Sequence, residues 1–342
     1  MAIIFHGGGF LQIRYPAYYP EFQCIASLCP DSCCKEWTVD VDAEAAAYYR
    51  TLEGSLGDRL RAVLQDTEDG TIMEIEDGRC PMWRQDGLCR IQAELGHDAL
   101  CQTCREFPRL RHEYGNFMER GLELSCPEAA RLIFSSPFAL LTAEEDLPEE
   151  EADYDEACMM ALLSSRTAVL RYLEETEHSP GEALAVLLLY GHSVQAELDG
   201  GEAEAFCPDA LLEEAKRYAG DGDMDSLLAV LSGLEVLAPG WSARLQTPAK
   251  SPVWAPEIKR LAAYMVTRYW LQAVSDYDLV CRVKLAIVAC LAVYALGGDV
   301  VETAQQFSKE IENNSDNVEA LLDAAYTTNA LTDLNLLRLL TK

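Results

Sequence analysis

The sequence predicts a mainly α-helical protein made of two unlike parts. The first is an irregular, cysteine-rich, metal- or cluster-binding N-terminal domain with short strands; the second is an α-helical domain. Three observations carry this. Nine of the thirteen cysteines crowd between Cys24 and Cys126. Pro, Gly and Cys break that same stretch into short elements. Beyond an acidic run that begins at Glu144, apolar residues recur at three- and four-residue spacing almost to the C-terminus. The cysteine-rich domain is placed at 1–143, an acidic linker at 144–156 and the helical domain at 157–342.

The elements follow in order. Ala2-Ile3-Ile4-Phe5 has no basic stretch ahead of it and is too short for a secretory signal. No apolar run reaches the ~18 residues that a membrane span requires, so a cytoplasmic protein is expected. Trp37-Thr38-Val39-Asp40-Val41 alternates like a strand, and Asp42 caps a helix running from Ala45 to Arg50. Gly87 marks a turn before a helix from Ile91 to Leu95. Tyr114-Gly115-Asn116-Phe117 reads as a hairpin turn between two short strands. Pro127 occupies the favoured first position of a helix directly after Cys126. The charge of Glu144-Glu145-Asp146-Leu147-Pro148-Glu149-Glu150-Glu151 marks it as the linker. Helical periodicity then covers Met160 to Leu173, Ala183 to Tyr190, Leu261 to Leu271, Leu279 to Leu296 and Val300 to Ile311. It ends with Val318 to Leu340, broken near Asn329.

A chain of 342 residues buries a sizeable core and suits two domains. Its net charge of −30 argues against nucleic acid or an anionic membrane surface as partner. A lysine-bearing protein fits that surface better, although acidity also serves solubility.

Thirteen cysteines are far more than a cytoplasmic chain carries without use for them. The nine clustered ones run Cys24-x4-Cys29-x3-Cys33-Cys34, then Cys80-x8-Cys89, Cys101-x2-Cys104 and Cys126. Three stand before proline, at Cys29-Pro30, Cys80-Pro81 and Cys126-Pro127, and a Cys-Pro step also closes the ligand run of bacterial ferredoxins. A disulfide framework is disfavoured by the compartment and by adjacent Cys33-Cys34, which pair only with strain. Zinc and an iron–sulfur cluster both remain compatible with the spacing. The candidate ligands are Cys24, Cys29, Cys33, Cys34, Cys80, Cys89, Cys104 and Cys126. Cys101, a helix turn ahead of Cys104, is the spare, and Cys33 and Cys34 are expected to point apart. Cys158, Cys207, Cys281 and Cys290 read as small buried apolar residues.

The run from Phe22 through Cys29-Pro30-Asp31-Ser32-Cys33-Cys34 to Trp37 resembles the opening motif of the flagellin lysine-N-methylase family. So do Cys80-Pro81, Gly87-Leu88-Cys89-Arg90-Ile91-Gln92, Thr103-Cys104-Arg105-Glu106-Phe107-Pro108-Arg109 and Leu124-Ser125-Cys126-Pro127-Glu128. The cysteine part is shared with a broader family of shorter zinc- or iron-chelating proteins. Looser similarity continues in Lys284-Leu285-Ala286 and in Phe307-Ser308-Lys309-Glu310-Ile311-Glu312-Asn313. The resemblance implies methyl transfer from S-adenosylmethionine to lysines of flagellin. It also implies a cysteine-bound centre, and tilts the choice toward iron–sulfur, of the 4Fe-4S kind, with zinc the alternative.

The donor site is not located by the resemblance. Gly7-Gly8-Gly9 opens no helix and reads as a loop. Cys29-x3-Cys33 begins the cysteine run of the radical enzymes, but Glu36 holds its third place, which disfavours radical chemistry. Methylating an amine calls for orientation, desolvation and a path for the leaving proton. Tyr48, Tyr49 and Tyr114, with Trp37, are the candidate catalytic aromatics. Arg105, Arg109 and Arg111 form the clearest basic cluster and are candidates to grip the donor's carboxylate. His97 and His112 are expected at the surface. The competing function is a non-catalytic zinc- or iron–sulfur-binding module whose helical half docks a partner.

Overall fold

The structure, a computed structural model, describes residues 10–35, 37–148 and 150–342. The readings made on Gly7-Gly8-Gly9, Glu36 and Glu149 lie outside the described residues. The chain is mainly helical, with a four-stranded and a three-stranded sheet in its first half.

Strand β1, Phe10–Pro16, buries Leu11 and Ile13 on one face. Short turns of 3-10 helix at Tyr19–Glu21 and Ala26–Leu28 lead into the first cysteine loop. Strand β2 is Val39–Val41, shorter than the alternation from Trp37 predicts, because the Trp37 indole instead donates to the Cys33 carbonyl at 2.6 Å. Asp42 caps α1, Ala43–Thr51, by accepting from the Ala45 N–H at 2.9 Å. Helix α2, Gly54–Val63, then leads into β3, Leu64–Asp66, and β4, Thr71–Met73, which pair antiparallel in the order β2-β4-β3. Two short helices follow, α3, Arg90–Leu95, and α4, Gln102–Glu106.

The predicted hairpin forms between β5, Arg109–Glu113, and β6, Phe117–Leu122. Gly115 turns it at φ +74°, and a Cβ there would stand 2.8 Å from the Ala152 backbone. Helix α5, Pro127–Ser135, starts at its proline, and β7, Leu140–Asp146, completes a sheet of order β5-β6-β1-β7. Strands β1 and β6 are parallel neighbours, so a long crossover must join them, and most of the cysteine-rich segment is that crossover.

The stretch expected to be a linker departs from its reading. Glu144, Glu145 and Asp146 are strand residues of β7, paired with Gln12, Leu11 and Phe10. Their charge is accommodated because β7 is an exposed edge strand and Glu145 takes both guanidinium nitrogens of Arg120, at 2.6 and 2.7 Å.

The second half is helical throughout. Helices α6, Glu156–Glu175, and α7, Pro180–Leu198, come first, the latter opened by a Ser179–Glu182 capping box. Next are α8, Pro208–Lys216, α9, Met224–Ser232, and α10, Pro239–Leu245. Helices α11, Ile258–Tyr269, and α12, Val280–Leu296, supply the centre of the core. Gly191 on α7 lets Val283 of α12 pack so close that a Cβ would lie 2.9 Å from it. Helix α13, Val300–Phe307, runs into one turn of π-helix at Ser308–Glu312. Helices α14, Ser315–Thr327, and α15, Asp333–Leu340, end the chain, with a 3-10 turn at Asn329–Leu331 where the break is expected.

Two cores result, and the first 143 residues contribute to both. Tyr18, Phe22, Phe117, Leu122, Leu124 and α5 pack into the large core of the helical half. A smaller core gathers Val39, Val41, Tyr49, Leu60, Met73 and Met82 with Cys80 and Cys101. The halves are also joined by a buried pair in which Arg166 on α6 donates to both Glu119 oxygens on β6, at 2.5 and 2.7 Å. Cys158, Cys281 and Cys290 are buried as expected, whereas Cys207 is exposed, since it caps α8 outside the core. Among the described residues no helix is long and apolar enough to cross a membrane.

Candidate functional site

A cavity of about 360 Å³ lies where the crossover meets the helical half. All nine clustered cysteines line it. Cys24, Cys29, Cys33 and Cys34 come from the first loop, where Ala26 takes a positive φ of 49° and its N–H points at Cys24 Sγ, 3.4 Å away. Cys80 is drawn in because its N–H donates to the Cys34 carbonyl at 2.7 Å. Cys89 follows through its bridge to Trp83, whose N–H donates to the Cys80 carbonyl at 2.9 Å. Asp42 also fixes α4, since its second carboxylate oxygen accepts from the Gln102 N–H at 2.7 Å. Cys101 and Cys104 thereby sit at the start of a helix tied to α1. Cys126 precedes α5 at its N-cap.

Two readings of the cysteines change. Cys33 and Cys34 both line the cavity, and each thiol shifts the other's ionisation, so they share one space rather than serving separate ones. Cys101, set aside from its spacing, lines the cavity beside Cys104.

The electrostatics of the thiols follow from burial and crowding. Burial pushes Cys80 up to about 11 and Cys126 up to about 12, and raises Cys29 and Cys89 as well. Neighbouring thiols push the same way: Cys89, Cys101 and Cys33 each raise Cys80. Within the neighbouring pairs Cys33–Cys34 and Cys101–Cys104 one thiol favours its partner's thiolate, so Cys33 and Cys101 fall while Cys34 and Cys104 rise. So many thiols cannot ionise together around one apolar space without a cation among them, and soft sulfur donors select zinc, copper(I) or iron–sulfur centres. That donor chemistry fits a cysteine-held centre. Among the described residues, however, no three His, Cys, Asp or Glu side chains are gathered tightly enough to hold a metal ion as placed.

The other predicted site residues divide. Tyr49 lines the cavity, but its hydroxyl donates to the Ala99 carbonyl at 2.8 Å and burial raises its pKa. Trp37 also lines it, its ring 5.6 Å from that of Phe107. Tyr48 is exposed, and Tyr114 stacks on Phe117 at 4.9 Å, and neither lines the cavity. Arg109 borders the cavity with its guanidinium 5.0 Å from the Phe22 ring. Arg105 is exposed on α4, and Arg111 lies farther along β5 opposite Arg120, so the three arginines do not converge. His97 lines the cavity with its side chain half exposed. His112 is partly buried rather than at the surface, and burial lowers its pKa.

Sequence reasoning missed the wall that the helical half supplies. Lys309, Glu310 and Asn313, from the π-turn and its end, line the cavity with Leu237. Lys309 pairs with one Asp31 oxygen at 2.8 Å, to which Gln305 also donates at 3.1 Å, and Lys35 pairs with the other oxygen at 2.7 Å. Although burial alone would raise it, these partners hold the Asp31 carboxyl well below the usual carboxylate range. Glu310 accepts from the N–H groups of Leu237 and Ala238 at 2.9 and 3.0 Å. The signal was present in the run from Phe307 to Asn313, noted only as similarity.

Behind this wall lies a buried charged network. Arg268 on α11 faces Glu312 at 3.2 Å and Glu123 at 3.3 Å and donates to the Tyr264 hydroxyl at 2.9 Å. The Tyr269 hydroxyl donates to Glu312 at 3.0 Å, and the Leu124 N–H donates to Tyr264 at 3.2 Å. The network ties the π-turn to the segment just before Ser125 and Cys126.

No family model matches the chain, and no solved structure matches it. Two curated lysine-N-methylases, from Salmonella typhimurium and Salmonella choleraesuis, are each 32% identical over 150 residues. Those matches cover 41% of this chain but only 37% of either relative's length. The flagellar biosynthetic protein FliU of Salmonella muenchen is 32% identical over 145 residues, which is 40% of this chain and 84% of FliU. On that coverage, the chain belongs to the family of the lysine-N-methylases and FliU.

Proposed function

We propose that this chain is a protein-lysine N-methyltransferase that moves methyl groups from S-adenosylmethionine to lysines of flagellin, with a cysteine-held iron–sulfur centre in the cavity. The observation that carries the reading is the convergence of all nine clustered cysteines on one cavity, in a relative of proteins named lysine-N-methylase. The thiols of Cys29, Cys33, Cys80, Cys89, Cys104 and Cys126, with Cys24 and Cys34 beside them, would hold the centre. When bound, it supplies a cross-link between loops that have few other means of ordering. When bound, S-adenosylmethionine supplies a methyl group on a sulfonium sulfur. The substrate amine takes that methyl with cleavage of the carbon–sulfur bond and loss of an amine proton. Arg109, the one candidate arginine at the cavity, holds the donor's carboxylate. The apolar walls exclude water, and the acidic helical half receives the lysine-bearing partner.

Anaerobically purified protein is expected to be brown, with iron and acid-labile sulfide in comparable amounts. It is also expected to transfer labelled methyl groups to flagellin. Colourless protein with stoichiometric zinc overturns the iron–sulfur assignment. Absence of transfer by the loaded protein overturns the enzyme in favour of a binding module.

A further inference from the structure

We propose that Gln305 and Lys309 are positioning residues for the cysteine-held centre. From the helical half they set the loop that carries Cys29 and Cys33 in register with the segment that carries Cys126. The proposal rests on the centre proposed above and not on methyl transfer. The need for such residues follows from how the cysteines are held. Cys80 and Cys101 are buried in the smaller core, and Cys34, Cys89 and Cys104 pack against it. Cys126 packs against the large core. Cys33 is exposed and Cys29 half-buried, and among the described residues neither belongs to either core. A ligand set must be fixed to within about 0.5 Å by packing or by hydrogen bonds. For this loop the cores do not supply the packing, so polar contacts must.

Those contacts converge on Asp31, which stands between Cys29 and Cys33. Its Oδ2 accepts from the Lys309 ammonium at 2.8 Å and from Gln305 Nε2 at 3.1 Å. The same Gln305 nitrogen donates to the carbonyl of Ser125, the neighbour of Cys126, at 2.7 Å. A side-chain amide nitrogen carries two N–H groups, and here each cysteine-bearing segment receives one. Gln305 ends its helix four residues before Lys309 of the π-turn, so the two share a face toward the loop. The Lys309 and Asp31 side chains are only 15% and 19% exposed, which shelters their pair from the screening that weakens surface pairs.

Lys35 separates positioning from mere neutralisation. It pairs with the other Asp31 oxygen at 2.7 Å from four residues along the same loop. The carboxylate therefore keeps a cation even without Lys309. What Lys309 and Gln305 add is the place of the loop against the helical half. Five thiols of the smaller core should be indifferent to that contribution, whereas Cys29, Cys33 and Cys126 should depend on it.

The test uses anaerobically purified, metal-loaded protein as wild type, Lys309→Met, Lys309→Arg and Gln305→Leu. Metal per chain is measured by elemental analysis, and its release to excess EDTA is timed. Alkylation of each cysteine by iodoacetamide is then followed by mass spectrometry on the released protein. Outer partners of metal ligands are worth about 10- to 100-fold in metal affinity. Lys309→Met and Gln305→Leu should therefore lose metal faster by about that factor. In both, Cys29 and Cys126 should alkylate faster than in wild type, while Cys80 and Cys101 keep their wild-type rates. Lys309→Arg keeps a cation that donates hydrogen bonds, and it should hold metal nearly as wild type does. Faster alkylation of Cys80 and Cys101 to the same extent marks general loosening of the fold and overturns the proposal. Wild-type release and alkylation in both Lys309→Met and Gln305→Leu overturn the proposal alone, leaving the centre in place. Wild type that carries neither iron nor zinc overturns the centre and the proposal together. If Lys309→Met misfolds, Lys309→Gln replaces it and the same criteria apply.

Discussion

Replacing Arg268 with alanine isolates what the buried network contributes. The Arg268 side chain is 11% exposed, that of Glu312 1% and that of Glu123 15%. Its removal would leave two carboxylates facing each other in an apolar interior. Breaking a buried ion pair by deleting one partner costs about 3–5 kcal/mol, because the remaining charge is uncompensated. An Arg268→Ala variant should lose about that much in urea denaturation followed by far-UV circular dichroism.

The loss should also depend on pH, and the sign is fixed by the acids. Burial already raises Glu123 above its ordinary value while Arg268 pulls it down. Without the arginine Glu123 should rise further. A raised folded pKa means that stability is present below the unfolded value and is lost as pH climbs through the folded one. The deficit should therefore be smaller near pH 5 than near pH 8. Replacing all three charges together, Arg268→Met with Glu312→Gln and Glu123→Gln, should recover most of the loss. A deficit below about 1 kcal/mol, or an equal deficit at both pH values, would refute the reasoning.

Four further outcomes are expected. Cys→Ser at Cys80, Cys89 or Cys104 should unfold the small core around Val39, Tyr49 and Met73 while leaving the helical half intact, as read by amide exchange. Cys158→Ser or Cys290→Ser should leave metal content unchanged. Because burial keeps Cys29, Cys80, Cys89 and Cys126 protonated at neutral pH, loading zinc or cobalt should release protons in a weakly buffered indicator assay. Loaded affinity should then rise with pH, and loading without proton release would contradict this. Arg109→Ala should weaken S-adenosylmethionine binding by one to two decades, the worth of about 1.5–3 kcal/mol, and Arg111→Ala should not. Equal affinities in calorimetry would remove Arg109 from the donor site.

Much of this architecture is legible in the sequence because local rules fixed it. The Asp42 cap, the Gly115 hairpin, Pro127 and the helices α6, α7 and α11 to α15 each depend on residues within a turn of one another, whereas the short helices α8, α9 and α10 had no reading. What escaped reading depends on distant partners. Phe10 to Tyr15 alternates well enough to suggest a strand, but only its pairing with β6 and β7 makes the acidic run at Glu144 part of a sheet. Three arginines within seven residues look like one cluster. The chain passes from helix α4 into strand β5 between Arg105 and Arg109, and that change of direction separates them. Cys101 looks superfluous by spacing, yet as the N-cap of α4, three residues before Cys104, it shares that residue's face and reaches the same cavity.

The turn at Ser308–Glu312 explains how one short segment serves two environments. In an α-helix, residues three and four apart share a face. A π-turn closes instead on the fifth residue, here with the Asn313 N–H donating to the Ser308 carbonyl at 3.2 Å, and so inserts one residue into the repeat. Lys309, Glu310 and Asn313 thereby face the cavity while Glu312 faces Arg268 in the core. The same backbone feature that positions the cavity wall is thus held from behind by the charged network, and Glu123 and Leu124 carry that hold to the segment before Cys126. The cysteine-rich crossover and the helical half are in this way two sides of one cavity. A change in the network should consequently be felt at Ser125, Cys126 and Asn313 before it is felt at the cysteines of the first loop.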